Sequence, residues 1–218
     1  MKEKRFFERL GLGVIVLALA SVTAYAGPTI ENGDFSAGLT GWDVDPPGCV
    51  VLDPGGYAVI VEDPTYFSFL LSQEFQVPDL VLSLSFERNM STSPGGNTGS
   101  PMPDGFTACL LDAGTLFPLV STALGYSDFY YLENSGLEDF VDTFVTVTGD
   151  TVSLNLSGLG LEGRQAVLDF YLLGTDDGYM TEVALDNVQV SVIPAPGALL
   201  LALIGTGAVG LWRRLRPR

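Results

Sequence analysis

Apolar and polar residues alternate with a period of two along the middle of the chain, as in β-strands that bury one face. In residues 80–87 one face holds Leu80, Leu82, Leu84 and Phe86, and the other holds Ser83, Ser85 and Glu87. The same alternation recurs in the segments 141–148, 152–156, 166–173 and 183–192. Between them, a Ser/Gly/Pro-rich stretch at 90–105 predicts either a mobile loop or the rim of a binding face. The pattern therefore predicts an all-β fold, a single antiparallel β-sandwich (jelly roll) over residues 27–192.

The first 26 residues have the three parts of a secretory signal peptide. Basic side chains begin the segment, an apolar stretch follows at 10–20, and small residues stand at Ala24 and Ala26. This order predicts cleavage by signal peptidase before Gly27, and export from the cytoplasm. An uncleaved anchor helix is the alternative, although the apolar stretch is shorter than the ~20 residues of a membrane span.

A second membrane-directed segment ends the chain at 193–218. It holds in order two prolines, an apolar stretch and an arginine cluster, namely Pro194, Pro196, residues 197–212, Arg213 and Arg214. As a helix, residues 197–212 extend about 24 Å, which only just crosses a hydrocarbon core of about 30 Å. We therefore predict a marginal transmembrane helix, with its arginines in the cytoplasm and residues 27–192 outside. A permanent anchor would share these features, whereas their order is typical of a sorting signal that is cut.

This tripartite segment resembles the PEP-CTERM sorting domain of Gram-negative bacteria. The family is named after Pro-Glu-Pro, and Ala195 stands here between the two prolines. The resemblance implies that an exosortase-like membrane protease recognises the segment and cleaves it near the Pro-x-Pro. The protein would then be anchored first in the inner membrane, with its middle domain outside the cytoplasm. Its final location would be the cell envelope or the extracellular space.

The charge of the middle segment excludes one class of partner. Residues 27–192 hold 24 acidic residues against two basic ones, Arg88 and Arg164, and contain no lysine. Such an acidic surface repels phosphate backbones, which excludes nucleic acid. The chain also contains no histidine, which excludes Ser-His-Asp, Cys-His and His-ligated zinc chemistry.

The two ends of the middle segment carry a second resemblance. Residues 32–36 (Asn-Gly-Asp-Phe-Ser) precede residues 38–42 (Gly-Leu-Thr-Gly-Trp), and residues 185–188 read Leu-Asp-Asn-Val. These motifs resemble the opening and the closing strand of galactose-binding-like jelly rolls, which include many carbohydrate-binding modules. Together with the alternation, they predict that a first strand at 30–35 lies beside a last strand at 185–192. The resemblance concerns the fold more than sugar binding, because many relatives are structural modules.

Asp186 is the most informative carboxylate of the middle segment. It shares strand parity with the valines of 188–192, so that a regular strand would direct it inward. A buried carboxylate needs a counter-charge, and calcium is the natural one where basic residues are few. The predicted calcium site is Asp186 with Asn32 and Asp34, and the resembling jelly rolls often hold a structural calcium between first and last strands. Two alternatives stay open, a bulge that turns Asp186 outward and backbone N–H groups that bind its carboxylate.

Cys49 and Cys109 are the two cysteines of the chain. Cysteine pairs oxidise outside the cytoplasm, and a disulfide between these two would close a loop of about 60 residues, worth on the order of 4 kcal/mol. Two separate buried thiols are the alternative, because sequence alone does not place the sulfurs within bonding distance.

Aromatic residues supply the candidates for ligand binding. Tyr126, Tyr130 and Tyr131 cluster in a loop-like stretch, where exposed rings would stack on the faces of sugars. Packing of these rings inside the protein is the alternative. No pair of carboxylates stands in a recognisable catalytic motif, so we do not expect an enzyme. The sequence thus predicts an exported protein with a structural or adhesive role in an exopolysaccharide layer, with carbohydrate binding as its specific form. A small secreted carboxylate-dependent hydrolase is the alternative class.

Overall fold

Two antiparallel sheets of six strands each form the part of the chain that the computed structural model describes. The described residues are 30–98, 102–120, 127–175 and 177–192, without the side chains of 95–98. They belong to the unit Gly27–Val192. This architecture confirms the predicted all-β antiparallel sandwich. Among the described residues, no helix is long and apolar enough to cross a membrane.

The predicted signal peptide and the predicted sorting signal lie outside the described residues. The second of these includes Pro194, Pro196, the helix at 197–212, Arg213 and Arg214. Both segments therefore stay predictions from the sequence.

The strands of each sheet are not in sequence order. Sheet A contains, in spatial order, β1 (Asp43–Asp45), β4 (Ser68–Gln76), β11 (Gln165–Leu173), β6 (Gly105–Asp112), β7 (Asp128–Glu133) and β8 (Glu138–Phe140). Sheet B contains β2 (Val50–Leu52), β3 (Ala58–Val61), β12 (Asp177–Val192), β5 (Val81–Thr98), β10 (Thr151–Asn155) and β9 (Val145–Thr148). The pairs β2–β3, β6–β7, β7–β8 and β9–β10 are consecutive in the chain as well as neighbours in a sheet. The other connections cross from one sheet to the other at the two ends of the sandwich.

We name these two ends after residues that lie there. At the Asp104 end, β3 and β11 finish while β6 and β12 begin, and the connections between them come together. At the Val192 end, β12 finishes and β5 begins, with Val192 paired to Val81. The two ends carry different side chains, which matters for the functions proposed below.

The core lies between the sheets and is rich in aromatic side chains. Phe86 of β5 packs edge-on against Phe170 of β11, with ring centroids 4.9 Å apart. Its ring also meets that of Tyr130 in β7, at 6.1 Å. Aromatic pairs in this geometry add stabilisation beyond the burial of their area. The inward residues of β10 and β11 alternate as the sequence pattern predicts.

The alternation fails at the start of β5. Val81 is buried, whereas Leu80 and Leu82, which the pattern directs inward, are exposed. The pairing of β5 with β12 shifts its register between Ser191 and Val192. Such an irregularity exchanges the two faces of a strand, because side chains alternate strictly along it.

The Ser/Gly/Pro-rich stretch at 90–105 begins as a strand. β5 continues to Thr98, because β12 starts at Asp177 and pairs with it there. The prediction of a loop along the whole stretch is therefore wrong for its first half. In its second half, Asp104 is fully buried.

The opening motif lies beside the last strand without forming a strand itself. The carbonyl of Gly33 accepts the backbone N–H of Val188, with an N···O distance of 2.9 Å. This contact confirms the predicted neighbourhood of the two segments. The strand predicted at 30–35 is wrong, because Asn32 and Phe35 both have a left-handed φ of 51° in a series of turns.

Candidate functional site

One buried carboxylate links three segments at the Asp104 end. Asp104 Oδ1 accepts the backbone N–H of Thr175, at 2.6 Å. Its Oδ2 accepts the hydroxyl of Thr181 at 2.5 Å and the side-chain amide of Asn134 at 3.0 Å. The three donors come from the β11–β12 connection, from β12 and from the β7–β8 turn. Because a buried carboxylate needs such donors, the network holds these segments in fixed relative positions.

Glu62, directly after β3, joins the same network. Its Oε2 accepts the backbone N–H of Thr181 at 2.8 Å, and its own N–H donates to the Thr181 carbonyl at 3.0 Å. Burial raises the pKa of Glu62 to about 7, and the neighbouring carboxyl groups of Asp104 and Asp177 raise it further. Glu62 is therefore partly protonated in the neutral range.

A glycine makes room for this carboxyl group. A Cβ atom on Gly174 would lie 2.8 Å from Cγ of Glu62. The backbone N–H of Gly174 donates to the carbonyl of Phe67 at 3.0 Å. The β3–β4 connection, which carries Glu62 and Phe67, is thus fixed to the β11–β12 connection at two points.

Asp177 extends the network to the start of β12. Its Oδ2 accepts the amide of Asn134 at 2.8 Å, and its Oδ1 accepts the backbone N–H of Tyr179 at 2.8 Å. Its carboxylate positions the segment that carries Tyr179.

Three aromatic rings are exposed at this end, two on the β3–β4 connection and one near the start of β12. The exposed fractions are 54% for Tyr66, 64% for Phe67 and 50% for Tyr179. The loop that carries the first two is ordered by its own hydrogen bonds, because Asp63 Oδ1 accepts the N–H of Thr65 at 2.7 Å. Large exposed apolar side chains cost free energy in water, and their concentration at one end indicates a binding surface.

Tyr131 lies on the outer face of sheet A near the same end. Its ring covers Gly105, where an added Cβ atom would come within 2.8 Å of the ring. Its hydroxyl donates to Glu133 Oε1 at 2.9 Å. Burial raises the pKa of Tyr131, and the Glu133 carboxylate raises it further. The half-buried ring stays a candidate for stacking on a ligand.

The other two predicted ligand-binding tyrosines have different outcomes. Tyr130 is fully buried in the core, and the prediction that it binds ligand is wrong. Its hydroxyl accepts Nε–H of Arg88 at 2.7 Å and donates to Glu138 Oε1 at 2.6 Å. Adjacent residues of a strand point to opposite faces, so only one of Tyr130 and Tyr131 can face outward. Tyr126 lies outside the described residues.

The predicted disulfide between Cys49 and Cys109 is not formed, and both thiols are free and buried. Cys49 belongs to the core, whereas Cys109 lies on the outer face of sheet A, opposite Asp169 of β11. The two sulfurs are therefore on different sides of this sheet. Burial raises the pKa of Cys109 to about 12 and that of Asp169 to about 6. The Cys109 thiol is thus protonated and inert at neutral pH.

Asp186 does not point into the core. A register shift between Asp186 and Gln189 forms a bulge, and Asn187 has a left-handed φ of 52°. The bulge brings Leu185 and Val188 both to the buried face and leaves Asp186 on the outer one. The predicted inward direction is therefore wrong, in agreement with the alternative of a bulge.

The three predicted calcium ligands bond within their own turns. Asp186 Oδ1 accepts the N–H of Asn187 at 2.7 Å, and Asp34 Oδ1 accepts that of Ser36 at 3.2 Å. Asn32 Oδ1 accepts the N–H of Ala37 at 2.9 Å. Within the described ranges no group of three or more His, Cys, Asp or Glu residues is arranged to hold a metal ion. Calcium binding stays a prediction, and these side chains as placed do not form its ligand set.

Asp186 instead lines a cavity of about 490 Å³ on the outer face of sheet B. Glu87 stands directly opposite Asp186 across the β5–β12 pair, and Glu182 lines the same cavity. Like charges that face each other across two strands destabilise the sheet. The cavity lining therefore holds an excess of acidic residues over one arginine, Arg88.

The network at the Asp104 end is not predicted by the motifs of the sequence. Glu62 immediately follows the apolar run of β3, and Asp104 immediately precedes that of β6. An acidic residue at the boundary of a buried strand is the signal that indicates such a position. Which strand ends come together, however, depends on the order of strands in the two sheets.

The chain is similar to several solved structures. One is TmCBM61 in complex with beta-1,4-galactotriose, at 15% identity and a TM-score of 0.45, covering 75% of this chain and 97% of that chain. Another is a CBM4 structure, at 11% identity and a TM-score of 0.40, covering 73% and 99%. A third is the enzymatically active domain of bacteriophage CBA120 tailspike protein 4, at 10% identity and a TM-score of 0.38, covering 76% and 21%. No protein-family model and no curated protein matches the chain.

Proposed function

We propose that the protein binds an extracellular polysaccharide through Tyr66, Phe67 and Tyr179 at the Asp104 end, in a structural or adhesive role. The observation that carries this proposal is the position of three exposed rings, two on the β3–β4 connection and one near the start of β12, which one buried network holds together. Rings held in place before binding lose little conformational entropy when a ligand stacks on them. Flat aromatic faces suit the apolar faces of sugar rings.

The charge of the domain narrows the class of polysaccharide. Residues 27–192 carry 24 acidic residues against two arginines. Such a surface repels a polymer rich in uronic acid or sulfate. The ligand we propose is therefore a neutral polysaccharide or one that carries amino groups. Carboxylates beside the rings, such as Asp63 and Glu133, would accept hydrogen bonds from sugar hydroxyls.

Binding is favoured over hydrolysis by the burial of the carboxyl pair. Glu62, whose pKa is raised to about 7, and Asp104 are the two carboxyl groups here that could resemble an acid–base pair. Both are buried beneath the connections at this end, and their oxygens are occupied by backbone and side-chain donors. A glycosidic bond would have to lie between two accessible carboxyl groups. The pair therefore supports a structural role, and the hydrolase is the weaker alternative.

We also propose the route of export on the basis of the sequence motifs. Signal peptidase would remove residues 1–26, and an exosortase-like protease would cleave near Pro194 and Pro196 after Arg213 and Arg214 have set the topology. Intact-mass measurement of the protein from its native host tests this route. A mass that retains Trp212 would show a permanent anchor instead.

Glycan-array binding of the full chain in detergent tests the proposed ligand. We expect Tyr66→Ala, Phe67→Ala and Tyr179→Ala each to weaken binding about tenfold, which corresponds to ~1.4 kcal/mol for one lost ring contact. Phe117→Ala is the matched control, because Phe117 is equally apolar and exposed but lies at the Val192 end. Equal losses for all four variants, or no binding to any glycan, would contradict the proposal.

A further inference from the structure

The Val192 end presents a second set of exposed apolar side chains. The exposed fractions are 47% for Leu80, 64% for Leu116 and 72% for Phe117. Val192, the last described residue, is also exposed. In contrast to the rings at the Asp104 end, most of these side chains are aliphatic. Aliphatic side chains partition into lipid but offer no flat face to a sugar.

Both leucines of this set are held in an unfavourable backbone conformation. Leu80 has a φ of 60° and Leu116 a φ of 57°. The left-handed region is uncommon for non-glycine residues, and a bulky side chain there is an outlier. Glycine or asparagine would adopt this conformation with less strain. A strained residue that also exposes a large apolar side chain indicates that the side chain serves an interaction.

The turn that carries Leu116 and Phe117 is ordered by Asp112. The backbone N–H of Asp112 donates to the Phe117 carbonyl at 2.9 Å, and the Leu116 N–H donates to the Asp112 carbonyl at 2.7 Å. Asp112 Oδ1 also accepts the N–H of Thr115 at 3.1 Å. The two apolar side chains therefore project from a hydrogen-bonded turn.

The turns of Leu80 and Leu116 are both joined to the β10–β11 connection. The backbone carbonyl of Arg164, in that connection, accepts the N–H of Val77 at 2.8 Å. The backbone carbonyl of Gln165, the next residue and the first of β11, accepts the N–H of Ala113 at 3.1 Å. Val77 and Ala113 lie in the turns that carry the exposed leucines, so these turns form one connected surface.

The chain leaves the domain at this same surface. Val192 pairs with Val81, the residue after Leu80. Only residues 193–196 separate Val192 from the apolar stretch that begins at Gly197. Even fully extended, the chain from Val192 to Gly197 reaches no more than about 18 Å. A tail inserted in a membrane would therefore keep the Val192 end within that distance of the bilayer.

We propose that Leu80, Leu116 and Phe117 insert into the interfacial region of the bilayer from which the tail emerges. The proposal rests on the membrane anchor of the proposed export route. Apolar side chains that enter the interface strengthen the membrane binding of a chain whose apolar tail only just spans the membrane. The same contact directs the aromatic rings of the Asp104 end away from the membrane. It also holds Pro194 and Pro196 at the membrane surface, where a membrane protease would cleave.

Fluorescence quenching by lipids tests this orientation. The full chain is reconstituted in phosphatidylcholine vesicles with the fluorophore NBD on Phe117→Cys, or on Phe67→Cys as the matched control at the opposite end. Cys49 and Cys109 are buried, and the parent chain without an added cysteine measures their background labelling. Phosphatidylcholine spin-labelled near the headgroup should reduce the emission at position 117 by about half, because interfacial side chains lie ~5–10 Å deep. Emission at position 67 should not change.

A second variant tests the leucines without unfolding the turns. The double variant Leu80→Asn with Leu116→Asn removes both apolar side chains, and asparagine tolerates the left-handed φ at these positions. It should reduce the quenching at position 117 at least twofold. A chain that fails to float with the vesicles would overturn the membrane anchor and this inference with it. A chain that floats with equal signals at positions 117 and 67 would overturn this inference alone.

Discussion

The backbone of Gly33 is in direct contact with the backbone of Val188. The Gly33 carbonyl accepts the Val188 N–H at 2.9 Å, and a Cβ atom added to Gly33 would lie 1.8 Å from the Val188 carbonyl oxygen. Only glycine fits between the opening turns and the bulge of the last strand. This contact closes the sandwich by joining the start of the described chain to its final strand.

Gly33→Ala should therefore destabilise the domain severely. The added methyl group must displace the backbone of β12 at its bulge, at a cost of about 3 kcal/mol or more in the free energy of unfolding. Urea unfolding followed by tryptophan fluorescence measures this change, because Trp42 is buried near the motif. Gly114→Ala is the control, since its Cβ would lie 3.5 Å from Asp112, an ordinary contact. Similar stability of the two variants would contradict the proposed packing.

Glu62 should make the domain less stable as the pH rises. Its pKa is raised to about 7 in the folded protein, above the ~4.3 of an unfolded chain, so between these values only the folded state binds the proton. The free energy of unfolding should then fall between pH 5 and pH 8, by about 3 kcal/mol at most. Glu62→Gln should reduce this slope, although Asp169, with a pKa of about 6, contributes in the same direction. Glu74→Gln, at an exposed position of β4, is the control and should leave the slope unchanged. An identical slope in the parent and in both variants would contradict the assignment to Glu62.

The two arginines of the domain should differ strongly in their contribution to stability. Arg88 donates to Tyr130 at 2.7 Å and to Glu138 at 2.7 Å, and thereby joins β5 of sheet B to sheet A. Arg88→Met should cost about 2–3 kcal/mol, because it leaves partly buried acceptors without a charged donor. Arg164→Met should cost less than about 1 kcal/mol, because its ion pair with Asp112 is 3.9 Å long and exposed. Thermal unfolding of both variants checks the difference, and equal losses would refute it.

Asp186→Asn should stabilise the domain in EDTA at low ionic strength. The change removes one carboxylate from the facing pair with Glu87, a repulsion worth roughly 0.2–1 kcal/mol. If calcium binds here, the ion should raise the melting temperature of the parent more than magnesium does, and the variant should lose this preference. Melting curves in EDTA, magnesium and calcium at fixed ionic strength separate the outcomes. Equal shifts of the melting temperature by both ions would mean that the ions act only by screening charge. Asp79→Asn, at an exposed acidic residue, is the control variant.

Much of the fold follows from local patterns. The alternation at 152–156 and 166–173 predicts β10 and β11 with the correct buried faces, because each strand is regular and pairs without a shift. The alternation is misleading at Leu82 and Asp186, where register shifts exchange the faces. A bulge depends on how two strands pair, so it is not visible in the sequence of either strand alone.

The candidate site was far less accessible to prediction than the fold. Tyr131 was found in the sequence because aromatic residues cluster there, but the same reasoning selected Tyr130, which belongs to the core. Tyr66 and Phe67 are more than 100 residues from Tyr179 in the chain, so no local pattern marks them as partners. They come to one end only because β4 and β12 both begin there.

Side-chain period and charge are local properties, so the sequence alone is enough to predict the β-sandwich and its acidic surface. The need for glycine at position 33 is not local, because it comes from the contact with the Val188 backbone. The tertiary structure alone decided which groups meet. Glu62 and Asp104 are 42 residues apart in the chain and share a network because sheet order brings their strand ends together. Cys49 and Cys109 stay apart because sheet A lies between their side chains. Such contacts depend on strand order, register and bulges, which long-range packing sets and no local segment encodes.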